Sequence, residues 1–205
     1  ANPLGALLWL KNHDQLLPLA SVHFLSSLAH YVLPSTFVLY TAYRYHWGPT
    51  EVGIALGLVG IESAIVQAGL TRRLVPLLGE RRAMVIGLAF GVAGFLIYGI
   101  APSGYWMLAG IPVMAFWGLA GPAGQSLMTA HLEPHEQGRL QGGLSSLMGV
   151  AGMIGPGLFT QTFAAFIGPQ RGLHLPGAPM LMASLLLLLA MAVAWRVTRP
   201  VPALP

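Results

Sequence analysis

The sequence predicts an all-α integral membrane protein, built as a bundle of six transmembrane helices. Three observations carry that expectation. Apolar types make up 55% of the 205 residues and charged types only 8%, against about 25% charged in an ordinary soluble domain. Mean hydropathy is +0.69. Stretches free of Asp, Glu, Lys and Arg are long enough to cross a bilayer, which takes about 20 residues per helix. They are Gln15–Tyr43, Ala83–Leu132, Leu140–Gln170 and Gly172–Trp195, and Val52–Thr71 is interrupted only by Glu62.

The first span lies near 16–42. His23, Ser27, His30 and Pro34 follow one another at spacings of four, three and four and so share one face. Tyr43, Tyr45 and Trp47 at its far end suit an interfacial aromatic belt. The second span lies near 51–71. Gly53, Gly57, Gly60 and Ala64 line one of its faces, and small residues let helices approach closely in lipid. Gly87, Gly91 and Gly94 do the same on the third span, near 83–100. The turn signal APSG at Ala101–Gly104 divides the fifty-residue apolar run and opens the fourth span, near 105–131. Proline and glycine are expected to interrupt the fourth span at GLAGPAGQS (Gly118–Ser126). They are expected to interrupt the fifth, near 140–166, at GVAGMIGPGLF (Gly149–Phe159), with a kink at Gly155, Pro156 and Gly157. The sixth, near 177–195, has almost no polar atoms and reads as lipid-facing. Helices are the choice throughout, because lipid offers no partner to backbone polar groups and alternating barrel strands are absent.

Basic residues set the orientation. Both ends and the even-numbered connections hold Lys11, Arg72, Arg73, Arg81, Arg82, Arg139, Arg196 and Arg199. The other connections hold Arg44 and Arg171. The positive-inside rule then places both termini in the cytoplasm. Residues 1–14 read as the end of a cytoplasmic linker, 15–197 as the bundle and 198–205 as a tail. The run Leu4–Leu10 precedes its first positive charge, the reverse of a signal peptide, and the chain reads as beginning inside a larger protein.

Several function classes are disfavoured. There is no cysteine and hence no disulfide framework or thiolate metal site. The net charge of +4 is not gathered into a basic stripe with interleaved aromatics, which argues against nucleic acid. No Walker-type glycine loop is present. HLEPHE (His131–Glu136) gathers metal-ligand types, but Pro134 disrupts the helix that would align its histidines. GLSSL (Gly143–Leu147) lacks the surroundings of a serine nucleophile. No cofactor and no enzymatic activity are expected.

Glu62 is the candidate for the chemistry, with two readings open: proton coupling or substrate binding, or a neutral hydrogen-bonded acid that only fixes helix contacts. It sits near the centre of its span, where a carboxylate costs several kcal/mol unless it is neutralised or sheltered. A group that holds or releases a proton as water reaches it is what a proton-coupled carrier needs. Ser63 and Gln67 add polar atoms on the adjoining face, and His30 is a conceivable partner. His23, Gln125 and Gln161 are further polar residues placed to line a pathway.

Four segments in order complete the reading: PSTFVLYTAYRYHWG (Pro34–Gly48), QAGLTRRLVPLLGERRA (Gln67–Ala83), QGRLQGGLSSL (Gln137–Leu147) and GMIGPGLF (Gly152–Phe159). Together they resemble the C-terminal half of tetracycline-resistance-like efflux pumps of the major facilitator superfamily. The resemblance implies one half of a twelve-helix fold, with this chain supplying helices seven to twelve and an N-terminal six-helix bundle as its missing partner. It implies a bacterial inner membrane location and exchange of a small-molecule drug for protons by alternating access. It also implies a cytoplasmic gate at Gly79, Arg81 and Arg82. Arg72 departs from the loop motif's small residue, and Ala42 stands where related pumps often carry an acid. The alternatives are a carrier of the same superfamily for a metabolite or sugar, or a non-transporting membrane scaffold.

A polypeptide of this composition should stay monodisperse only in detergent or lipid, as size-exclusion chromatography would show. A monodisperse species in plain buffer would contradict the membrane assignment.

Overall fold

The structure is a computed structural model, and it describes residues 10, 16–130, 132–168 and 174–198. The expected linker and tail lie outside these apart from Leu10 and Thr198, as do Lys11, His131, Arg171 and Arg199. Six helical segments are long and apolar enough to cross a membrane: α1 Leu17–Tyr45, α2 Pro49–Leu78, α3 Glu80–Ile100, α4 Gly104–Thr129, α5 Gln137–Ile167 and α6 Ala178–Val197. Among the described residues there is no strand. The expected spans and their order match these helices, with the second running further, past Arg72 and Arg73 to Leu78.

α3 is the hub of the bundle. It packs along α6 and α4 and touches the end of α2, while α1 packs on α5 and α6. The reason is the small-residue stripe. A methyl at Gly87 would lie 2.7 Å from the Ala120 backbone nitrogen, and one at Gly94 3.1 Å from the Met114 Cα. One at Gly91 would lie 2.6 Å from a Leu187 methyl and 2.9 Å from the Trp117 ring. These glycines therefore set how close α4 and α6 come to α3.

The same pattern on α2 has a different outcome. Gly53, Gly57 and Gly60 meet nothing within 4 Å, so that face is open in this chain rather than packed. Helix periodicity shows that residues share a face, not what lies opposite. α6 also departs from expectation. It turns Leu185, Leu188 and Leu189 outward but buries Met180, Ala183, Ser184, Leu187, Ala190 and Ala194 against its neighbours. Alanines at this spacing admit α3 and α1, and the Ser184 hydroxyl donates to the Val92 carbonyl of α3 at 3.0 Å.

Side chains of α1 close the C-terminal end of α3. The Tyr40 hydroxyl donates to the Tyr98 carbonyl at 2.6 Å. Arg44 Nε and the Tyr45 hydroxyl both donate to the Ala101 carbonyl at 3.0 Å. These carbonyls are the orphan acceptors of the α3 C-terminus, where a cation is also favourable. Tyr45 and Trp47 thus form part of an internal aromatic cluster, their rings 5.7 Å apart. Tyr43 stays exposed and pairs with His174 Nε2 at 2.8 Å.

The two glycine stripes should respond differently to substitution. Gly87→Val should lower thermal stability in detergent by about 1–3 kcal/mol through overpacking against α4. Gly57→Ala in the same chain should leave it unchanged or slightly raised. Equal effects would contradict the packing described.

Candidate functional site

Three helices break, and the breaks surround one cavity. α1 leaves regular geometry at Tyr31, between helical segments Leu17–His30 and Val32–Tyr45. α2 widens into a π turn at Val66–Leu70, and α4 tightens into a 3-10 turn at Phe116–Leu119. Tyr31, Gln67, Trp117 and Gly118 from these segments line a cavity of about 530 Å³. Irregular backbone inside a membrane is tolerable where it borders such a space, and π turns recur at functional sites. The extra residue of the π turn is accommodated locally: the Thr71 hydroxyl donates to the Val66 carbonyl five residues back, at 2.9 Å.

The α1 stripe His23, Ser27, His30 and Pro34 lies wholly on the cavity wall. Across from it, α2 contributes Val59, Ser63 and Gln67, four residues apart each time. Four of the seven residues expected at a coupling or substrate site are therefore brought together: His23, His30, Ser63 and Gln67. Gln125 and Gln161 are exposed and lie outside this cavity.

Glu62 sits beside the cavity rather than on its wall. Its Oε2 is buried and has no hydrogen-bond partner. The conceivable pairing with His30 is not formed. Elsewhere, His135 Nδ1 lies 3.3 Å from the Glu133 carboxylate in the α4–α5 loop. The His30 ring instead faces Trp117 at 5.8 Å and the edge of Tyr31 at 6.4 Å.

Trp117 and Tyr98 were not among the expected site residues, because aromatics in apolar spans are indistinguishable by pattern from ordinary packing. The 3-10 turn could not be foreseen from FWGL either.

The segment expected as a cytoplasmic gate is a tight bend. Gly79 joins α2 to α3 with φ of 77°, a conformation that strains any residue with a side chain. The Arg81 guanidinium sits 5.7 Å from the Trp195 ring of α6, a cation–π contact within this chain. Arg82 is exposed. The residue the sequence reading missed is Glu80, which accepts a hydrogen bond from the Ser126 hydroxyl of α4.

α5 is not interrupted. It continues through Pro156 from Gln137 to Ile167. Gly155 and Gly152 are close-approach positions instead: a methyl there would lie 2.6 Å from the Tyr31 Cβ and 2.7 Å from its hydroxyl, respectively. Gly157 meets nothing. α5 thus crosses α1 at the residue where α1 breaks.

Comparison with known proteins agrees with this architecture. The family model described as Major Facilitator Superfamily matches residues 19–205. The tetracycline resistance protein, class C, of Escherichia coli is 27% identical over 84% of this chain and 43% of its own length. The class G protein of Vibrio anguillarum is 32% identical over 75% of this chain and 39% of its own length. Among solved structures, the human organic anion transporter MFSD10 (TETRAN) superposes with a TM-score of 0.74 at 24% identity, covering 86% of this chain and 40% of that one. The chain spans about two fifths of the length of the curated relatives it matches.

The Glu80–Ser126 contact predicts a stability difference. Glu80→Ala should cost about 1–3 kcal/mol, the range for losing a hydrogen bond to a charged group. Arg82→Ala, at an exposed site, should stay within about 0.5 kcal/mol. Thermal unfolding in detergent checks both.

Proposed function

The chain belongs to the major facilitator superfamily, and from that premise we propose that it is the C-terminal half of a proton-coupled drug efflux antiporter working by alternating access. A second six-helix bundle is its partner and completes the cavity. The substrate is a small-molecule drug of tetracycline-like type, as the names of the relatives suggest. The location is a bacterial inner membrane, with both termini cytoplasmic. Gly79 and the arginines beside it bear on the cytoplasmic gate.

The observation that carries this reading is the Glu62 oxygen, buried with no partner beside a cavity of about 530 Å³ that several polar side chains line. A desolvated carboxylate at mid-span is costly while it stays charged and alone. A proton relieves that cost, and so does a bound ligand bearing positive charge. When both compete for one carboxylate, occupancy by one expels the other. Competition of this kind couples outward drug movement to inward proton movement once access alternates between the two sides. Ser63 and Gln67 hold the ligand's polar groups on the α2 wall. His23 and Ser27 extend the polar path along α1.

Glu62→Gln in the full-length transporter should abolish proton-driven export, a loss of at least about tenfold, while leaving folding and membrane insertion intact. Drug export from vesicles under an imposed pH gradient measures it. Export at the normal rate with the same pH dependence would overturn the assignment.

A further inference from the structure

We propose that Trp117 is the specificity-determining residue of this cavity, the centre of an aromatic wall that selects ligands carrying a flat conjugated ring system. The inference rests on the reading of the cavity as a ligand site and adds to it the chemistry of what is recognised.

Four rings from three helices form a continuous chain of contacts. Phe95 of α3 meets Trp117 edge-on at 5.4 Å and 67°. Trp117 meets His30 of α1 at 5.8 Å and 44°. His30 meets the edge of Tyr31 at 6.4 Å and 79°. Trp117, His30 and Tyr31 all border the cavity. Such separations are contact distances for aromatic pairs, so no further ring inserts between them. A flat ligand lies against the cavity-facing surface that they share.

The wall is held rigid at both ends. The base of the indole is pressed against Gly91, where a methyl would come within 2.9 Å of its ring carbons. Phe95, fully buried, fixes its other side. Tyr31 is seated on Gly152 and Gly155 of α5. A pre-set surface of this kind loses little conformational freedom on binding, which is how rigid aromatic contacts give affinity. The 3-10 turn at Phe116–Leu119 is the local departure that sets the Trp117 ring against α3 and the cavity together.

The adjoining wall, on α2, is chemically different. Ser63 and Gln67 of α2 present polar groups, with Glu62 beside them. Among the described residues no lysine or arginine lines the cavity. A ligand that fits both walls is therefore flat and aromatic on one side and polar on the other. It is neutral or cationic rather than anionic, since a cation gains from both the carboxylate and the ring faces.

The experiment uses the full-length transporter and two probes: ethidium, a flat aromatic cation, and tetrabutylammonium, an aliphatic one. Binding is measured by isothermal titration calorimetry for wild type, Trp117→Leu and Trp117→Phe. Leucine keeps apolar bulk against Gly91 but removes the ring. The expected result is ethidium affinity down about tenfold in Trp117→Leu and restored to within about threefold in Trp117→Phe, with tetrabutylammonium, which loses only its cation–π share, falling by no more than about threefold in Trp117→Leu. Equal losses for both probes assign Trp117 a packing role and overturn the proposal, as does an unchanged ethidium affinity. Proton-driven ethidium export by wild type separates the two readings. Export that persists beside an unchanged Trp117→Leu affinity sinks the aromatic wall alone. Selective loss of binding in Trp117→Leu without any proton-driven export in wild type sinks the antiport reading alone.

Discussion

Every polar group in this bundle must find its partner without help from bulk water, and that constraint orders the rest of the structure. Among the described residues four Ser or Thr side chains are buried, and each bonds a backbone carbonyl: Thr36 to Val32 at 2.7 Å, Thr41 to Phe37 at 2.9 Å, Thr71 to Val66 at 2.9 Å and Ser184 to Val92 at 3.0 Å. Three of these stay within their own helix. The orphan carbonyls at the C-terminal end of α3 are met by Tyr40, Arg44 and Tyr45. Against that background a carboxylate oxygen with no partner is an exception. In a structure that otherwise satisfies its buried side chains, such an exception marks where a ligand or proton belongs.

The same constraint separates scaffold from working parts. α3, α5 and α6 run unbroken, and α3 and α6 meet through glycines and alanines. α1, α2 and α4 carry irregular turns bordering the cavity, at Tyr31, Val66–Leu70 and Phe116–Leu119, and α4 has a further one at Gly110. Regular helices need nothing from outside for their backbone hydrogen bonds. Broken ones expose groups that only a wet space or a ligand can satisfy. The cavity and the breaks are thus two views of one arrangement.

Much of this was legible in the residues. The six spans follow from apolar run length and the APSG turn, and the α1 stripe reached the cavity wall as its spacing required. Ser63 and Gln67 did too. The failures share a cause. GMIGPGLF promised a break in α5, but Pro156 is carried inside a continuous helix, while VQAGL and Tyr31, without proline, are where α2 and α1 depart from regularity. Helix regularity in a bundle is decided by what packs alongside, which a single segment does not encode. The two glycine stripes make the same point, since one is packed and the other open. Neither Glu80, tied to Ser126, nor Trp117 could be distinguished from neighbouring charges and aromatics, because both roles depend on a second helix.

The central claim is that water reaches the polar face of the cavity and no other mid-depth surface of the bundle. The chain contains no cysteine, so single cysteines report cleanly in a full-length protein freed of any others. Ser63→Cys, Gln67→Cys and Leu188→Cys would be treated in native membranes with a membrane-impermeant maleimide. Labelling at 63 and 67 with none at 188 is the expected pattern. Labelling at 188, or protection of both 63 and 67 in every condition that supports transport, would contradict the account.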